Sequence, residues 1–387
     1  SITSAAGADT LYMMNASDVL DAGTGTDKLI LSKTFVLGGL NVDLSSTTDQ
    51  VTTFNGSANA AVQKGFENID ASGALGSFGA QITAISTGST ITGTGNADVV
   101  NGGAGVDTIV TTAGNDAVLA GAGNDIFSIT DALFDNNNNT TASFNGEGGT
   151  GDSITFTDAA SIVDADFARY SNVEVLTLFN GANTAVLSTI AATAGITTVT
   201  AGTSTDALTN SSGSAMTFNL GASDDSAVDT INLLAVSGTT TVTGFVSAED
   251  TFEIVAGALL TATRSDTAEV VGDVSANTNT GETYAIETAV TGIVTDAENG
   301  TLTVANLTAT TLTEVAASIT GAFVFGDANA DTANVEVFAV ESDTAGTFGI
   351  YAWTQSTNTD TTVGADELVT LGIVTGTNLA AADLDLA

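Results

Sequence analysis

The chain has 387 residues, 45 Asp and Glu against 5 Lys and Arg, a net charge of −40 at pH 7, and no His, Cys or Pro. With no basic surface to meet phosphate, nucleic acid is excluded as a partner. The missing His and Cys remove zinc-peptidase motifs, histidine triads, thiolate nucleophiles and disulfide frameworks. Even so, 43% of residues are hydrophobic, so this is a folding chain rather than an acidic tail, and its charge calls for a partner cation.

Ser4 to Ile30 reads as three nine-residue units, SAAGADTLY, MMNASDVLD and AGTGTDKLI. Asp9, Asp18 and Asp27 take the sixth place, and Leu11, Leu20 and Leu29 the eighth. Gly7, Gly23 and Gly25 are the turn glycines; the middle unit has none. Asp27 opens a longer module that returns through GFENIDAS, in which Asn68 fits a ladder or turn position. Asn59–Phe66 is expected to form a turn or two of helix.

From Gly93 to Ser128 the pattern is strongest: GTGNADVVN, GGAGVDTIV, TTAGNDAVL and AGAGNDIFS. Asp98, Asp107, Asp116 and Asp125 fall at intervals of nine, each followed two places later by Val100, Ile109, Val118 or Phe127. The glycines of these turns are Gly93, Gly95, Gly102, Gly103, Gly105, Gly114, Gly121 and Gly123. A six-residue turn and a three-residue strand make half a coil of a parallel β-roll, with the eighth residue pointing inward because strand side chains alternate. Stacked turns are then eighteen residues apart, which pairs Asp98 with Asp116, Asp107 with Asp125 and Asp9 with Asp27. Carboxylate and carbonyl oxygens brought together in this way form the all-oxygen shell that Ca²⁺ prefers.

GGTGDSITF carries Asp152 one residue out of phase, and its module returns through SNVEVLTL, where Asn172 fits a turn. Asp164–Tyr170 reads as a short helix, and SAVDTINLL keeps Asp229 and Ile231. After GFVSAEDTFEIV the nonapeptides vanish. VEVFAVESD, TFGIYAWTQ and ELVTLGIVTG read as antiparallel strands, with Tyr351 and Trp353 as core or capping residues and Leu312–Ala317 as a short helix. Asp327, Asn329 and Asp331 resemble the opening of an EF-hand loop, but its sixth place is Thr332 and its twelfth Phe338.

The fold class is therefore all-β: a parallel β-roll or β-helix solenoid with calcium turns, followed by a C-terminal antiparallel β domain. The expected division is 1–90 (degenerate turns plus solenoid), 91–255 (β-roll and solenoid) and 256–387 (a β-sandwich-like cap or assembly domain). Missing proline suits both a complete hydrogen-bond ladder and a chain that folds after export. At ordinary usage of about 5% some twenty prolines would be expected. A start at Ser1 without a signal-peptide pattern reads as a processed chain or a segment of a longer one. No apolar stretch reaches membrane-spanning length, so direct insertion is not expected.

The Gly93–Ser128 units resemble those of RTX proteins, the calcium-binding repeat family exported by type I secretion systems of Gram-negative bacteria. AGTGTDKLILS, TTFNGSANAAVQKGFENID, YSNVEVLTL and the closing TLGIVTGTNLAAADLDLA resemble RTX-type S-layer and surface proteins. The resemblance implies calcium-triggered folding outside the cell and lattice or filament assembly. The function expected is that of a non-enzymatic, self-assembling structural protein at the cell surface. The alternative is a calcium-stabilised adhesin or matrix-binding segment, for which cell-surface polysaccharide would be a partner.

Overall fold

A computed structural model describes residues 1–35, 37–135, 141–221, 227–234, 239–247, 249–255, 269–270, 290–294, 302, 304–309, 311–322, 335–354, 362–375, 379 and 383–386. The EF-hand-like Asp327, Asn329 and Asp331 lie outside these residues. The chain divides into two compact units, Ser1–Phe179 with Ile190–Thr197, and Asn180–Thr189 with Thr198–Ala387.

The first unit is a parallel β-roll. Its longest sheet runs through Thr10–Met13, Lys28–Phe35, Asn68–Gly76, Thr90–Thr92, Thr108–Val110, Ile126–Ile129, Ser153–Phe156 and Val175–Thr177. The facing sheet runs through Leu40–Asp43, Ala80–Thr83, Val99–Asn101, Ala117–Ala122, Ser143–Gly148 and Tyr170–Ser171. Register between coils is set by the inward residues, since a slip of one place would turn them all to solvent. Leu29, Ile69, Ile91, Ile109, Phe127, Ile154 and Leu176 form one column through successive pairings. Val42, Ile82, Val100, Val118, Phe144 and Tyr170 form the other. All four eighth-position residues of the Gly93–Ser128 run are buried. Phe127 meets Phe144 edge-on at 5.9 Å, and Phe144 stacks on Tyr170 at 5.0 Å.

No break falls at 90/91: Ile91 pairs with Ile69 on one side and Ile109 on the other. Asp164–Arg169 is a 3₁₀ helix, as its pattern predicts in kind. Asn59–Phe66 is not helical and carries the strand Gln63–Lys64 instead. Asn59 donates its side-chain amide to the carbonyls of Val51 and Ala61, offering the backbone an alternative to a helix. Gly65, at φ +80°, also departs from helical geometry. Asn68 accepts from the Thr90 N–H at 2.7 Å, and Asn172, at φ +53°, donates to Asn145 Oδ1 at 2.8 Å.

The second unit repeats the design. Ala185, Leu208, Ile231, Phe252 and Leu384 form one inward column, and Val199, Phe218, Val242 and Val374 another. The expected antiparallel strands are present as Val335–Glu341, Thr347–Thr354 and Leu368–Thr375. They do not form a free-standing sandwich beginning at 256. Leu368–Thr375 joins Thr240–Thr243 in parallel, and Leu384–Leu386 joins Thr251–Val255. The alternation that marks a strand does not say which edge it will occupy. Tyr351 and Trp353 are fully buried against Leu307, Val315, Ile319 and Phe338, with Thr313–Ala322 as the covering helix. The Tyr351 hydroxyl donates to the Leu307 carbonyl, and Trp353 Nε1 to Glu367, both at 2.8 Å.

Candidate metal centre: a row of buried aspartates

In the first unit, the residue just before each strand of the longest sheet occupies the same place in its coil. In order these residues are Asp9, Asp27, Glu67, Ser89, Asp107, Asp125, Asp152 and Glu174. Carboxylates along this row accept the main-chain N–H of the residue one coil earlier. Asp9 donates to Asp27 Oδ1, Asp107 to Asp125 Oδ1 and Asp125 to Asp152 Oδ1, each at 2.7 Å. Ser89 donates to Asp107 Oδ1 at 2.6 Å. Carbonyls point the other way: those of Asp107 and Asp125 accept from Ile126 and Ser153 at 2.8 Å. Each aspartate thus ties its coil to the one behind and the one ahead.

Only one carboxylate oxygen is used in this way. Asp27, Asp107, Asp125 and Asp152 are fully buried, and Oδ2 of each accepts no hydrogen bond from any described residue. An orphaned anionic oxygen inside a protein is costly unless a cation meets it. Burial pushes Asp107 up to about 7, against the Ser89 hydrogen bond and with help from the Asp125 charge. It pushes Asp152 up to about 6, opposed by the Asp125 N–H and reinforced by the charges of Asp125 and Glu174. Asp125 is raised by burial as well.

On the facing sheet, Asp98 and Asp116 form a second, shorter row. Asp98 donates its N–H to Asp116 Oδ1 at 2.9 Å, and burial raises Asp116 to about 7. Asp98, also raised by burial, is satisfied by protein: Oδ1 accepts from the Ala80 N–H and the Thr94 hydroxyl, and Oδ2 from the Thr94 N–H. Asp18 joins neither row. Its carboxylate closes a local turn by accepting the N–H groups of Met14 and Asn15.

The turn glycines serve two purposes. Gly7, Gly23, Gly25, Gly103, Gly105, Gly114, Gly121 and Gly123 have positive φ. At Gly123 (φ +142°) a Cβ would also lie 2.1 Å from the Gly105 carbonyl oxygen of the coil behind. Gly93 is small for a different reason, and Gly102, whose Cβ would also lie 2.1 Å from the Ala120 carbonyl oxygen, for both. A Cβ at Gly93 would sit 2.3 Å from Asp98 Oδ2, and one at Gly102 would sit 2.8 Å from Asp107 Oδ2. Gly95 has open space around it.

Among the described residues no three acidic side chains converge on one point. The fit to a cation therefore depends on single orphaned carboxylate oxygens beside stacked turn carbonyls, a donor set of hard oxygens that suits Ca²⁺.

The second unit carries Asp229, which the sequence marks, and beside it Asn183, Asp206 and Asp250, which motif reading passed over. Asn183, Asp206 and Asp229 donate their N–H groups to Asp206, Asp229 and Asp250 at 2.9, 2.8 and 3.0 Å. The signal for Asp206 was present: AGTSTDALT from Ala201 matches AGTGTDKLI from Ala22 at the sixth and eighth places. Glu67 and Glu174 had no such signal, because the long insertions before them break the nine-residue phase.

A stack of parallel coils tied by buried aspartates and glycine turns defines a calcium-binding β-roll. The family model of the RTX calcium-binding nonapeptide repeat, in four copies, matches residues 1–29 and 92–127. The chain carries RTX-type calcium-binding repeats, and Ca²⁺ is the ion that these repeats bind. No curated protein matches the chain. No helix among the described residues is long and apolar enough to cross a membrane.

Proposed function

We propose that the chain is a calcium-dependent extracellular structural protein that assembles with copies of itself into a surface layer or filament, without enzymatic activity. The observation that carries this reading is the row of four fully buried aspartates, each with one carboxylate oxygen holding the coil before it and one left orphaned. Bound calcium supplies the positive charge that offsets burial of these carboxylates. The protein's own groups do the rest: Oδ1 fixes the register, Oδ2 is presented to the ion, and the glycines keep the turn carbonyls within reach.

Cytosolic calcium is too scarce to fill weak sites, whereas millimolar external calcium suits the roughly 10⁻⁴–10⁻³ M range of extracellular modules. The chain would leave the cell unfolded and close its coils outside. RTX repeat proteins are typically secreted by the type I route, which supports export in that form. A net charge of −40 opposes contact between copies, so divalent ions between subunits would serve assembly as well as folding.

Circular dichroism and electron microscopy of the purified chain in calcium and after EGTA test this. Ordered polymers that dissolve on chelation, with loss of β-signal, are expected. Unchanged β-content and intact assemblies after full chelation would overturn it. A calcium-loaded monomer that retains a glycan would replace self-assembly with adhesion.

A further inference from the structure

Two positions in the aspartate row are taken by glutamates, and each closes a coil longer than eighteen residues. Asp27 is followed one coil later by Glu67, forty residues on, and Asp152 by Glu174, twenty-two residues on. The two junctions share one constellation. Glu67 Oε2 accepts the Asp27 N–H at 2.7 Å, and Glu174 Oε2 accepts the Asp152 N–H at 2.9 Å. The Asp27 carbonyl accepts from the N–H groups of Glu67 and Asn68 at 3.1 and 3.0 Å. The Asp152 carbonyl accepts from Glu174 and Val175, both at 2.9 Å. In both, the aspartate is fully buried with Oδ2 unpartnered, and Oε1 of the glutamate takes no hydrogen bond from a described residue.

Hydrogen bonding explains one oxygen of each glutamate and leaves the second carboxylate's charge unexplained. A glutamine would receive the same N–H without setting a second anion beside a buried, orphaned one. The glycines at the second junction crowd the same carboxylate: a Cβ at Gly149 would lie 2.0 Å from the Gly123 carbonyl oxygen and 3.0 Å from both Asp152 carboxylate oxygens, and one at Gly146 would lie 2.0 Å from the Asn172 carbonyl oxygen and 2.6 Å from Asp152 Oδ2. Space around the orphaned oxygen is kept clear of carbon.

We propose that Asp27 with Glu67, and Asp152 with Glu174, each hold a divalent cation of the calcium class, at two junction sites where an inserted segment rejoins the stack. Glu67, Asp152 and Glu174 all lie outside residues 1–29 and 92–127, which the repeat model matches. The proposal rests on the calcium-dependent folding proposed above and adds a task to it. Closing a coil of more than eighteen residues costs more entropy than closing an eighteen-residue one. An ion shared between the residue that opens the coil and the residue that closes it would fix both ends.

The test is calcium stoichiometry of the full chain by equilibrium dialysis and elemental analysis, for wild type, Glu67→Gln, Glu174→Gln and the double variant. Glutamine keeps the acceptor for the aspartate N–H. The expected result is one ion fewer in each single variant and two fewer in the double. An unchanged count in the double variant would overturn the proposal. Hydrogen exchange on the wild type gives a second reading that needs no variant. Peptides covering 64–69 and 172–176 should gain protection on adding calcium; protection gained at 93–128 and not at these junctions would overturn the junction sites alone. A wild type that binds no calcium would overturn the underlying folding reading, and the junction sites with it.

Discussion

The N–H of Asp125 donates to Asp152 Oδ1 at 2.7 Å, although the two residues are twenty-seven apart rather than eighteen. The longer coil still closes in register, so that Ile154 lies beside Phe127. Phase in the sequence is lost there, while phase in space is kept.

The two kinds of buried aspartate should respond differently to substitution. Asp125→Asn keeps an acceptor and removes an orphaned charge. Its metal-free form should be at least as stable as wild type in EGTA, while the gain in melting temperature on adding calcium shrinks. Asp98→Ala removes the acceptor for Ala80 and Thr94. It should cost about 1–3 kcal/mol in EGTA and in calcium alike. Thermal melts of both variants in the two buffers check this, and a reversed pattern would contradict the division between satisfied and orphaned carboxylates.

Stability of the metal-free chain should fall as pH rises. Asp107 and Asp116 are raised to about 7 and Asp152 to about 6, above the ordinary 3.8. Between roughly pH 4 and 7 the folded state then binds more protons than the unfolded state, so stability is lost through that window and levels off above it. Calcium has to displace those protons, so its apparent affinity should climb over the same range. Urea titrations in EGTA and calcium titrations at several pH values measure the two halves of this linkage.

Gly102→Ala and Gly95→Ala form a matched pair. At Gly102 a methyl group would lie 2.1 Å from the Ala120 carbonyl oxygen and 2.8 Å from Asp107 Oδ2; at Gly95 it would meet nothing within 4 Å. The first should destabilise by about 1–3 kcal/mol and weaken calcium binding, as overpacking does. The second should be close to neutral. Equal effects would show that the crowding around the carboxylate has no consequence.

Phe127 is fully buried, follows Asp125 by two places and touches both Phe144 and Tyr170. Phe127→Ala should cost about 3–5 kcal/mol. Because folding and calcium binding are linked, it should also raise the calcium concentration at which β-signal appears in circular dichroism. A calcium midpoint unchanged by this substitution would separate core packing from metal binding.

Much of the first unit was legible because one nine-residue period specifies both the turn and the inward side chain. Asp98, Asp107, Asp116 and Asp125 announce the coil length, and Val100, Ile109, Val118 and Phe127 announce which face is core. The class of ion follows too, from acidic oxygen donors without nitrogen or sulfur ligands. Sequence alone therefore determined a parallel β-roll and its calcium. Tertiary structure decided which carboxylates are satisfied and which are orphaned, because Thr94 reaches Asp98 while no described residue reaches Oδ2 of Asp107 or Asp125. It also decided that Glu67 and Glu174 complete the row, and that Leu368–Thr375 returns to pair with Thr240–Thr243. These are contacts between residues separated by insertions of arbitrary length. No local period encodes where such a chain comes back; only the burial of its apolar column and the pairing of its backbone groups do.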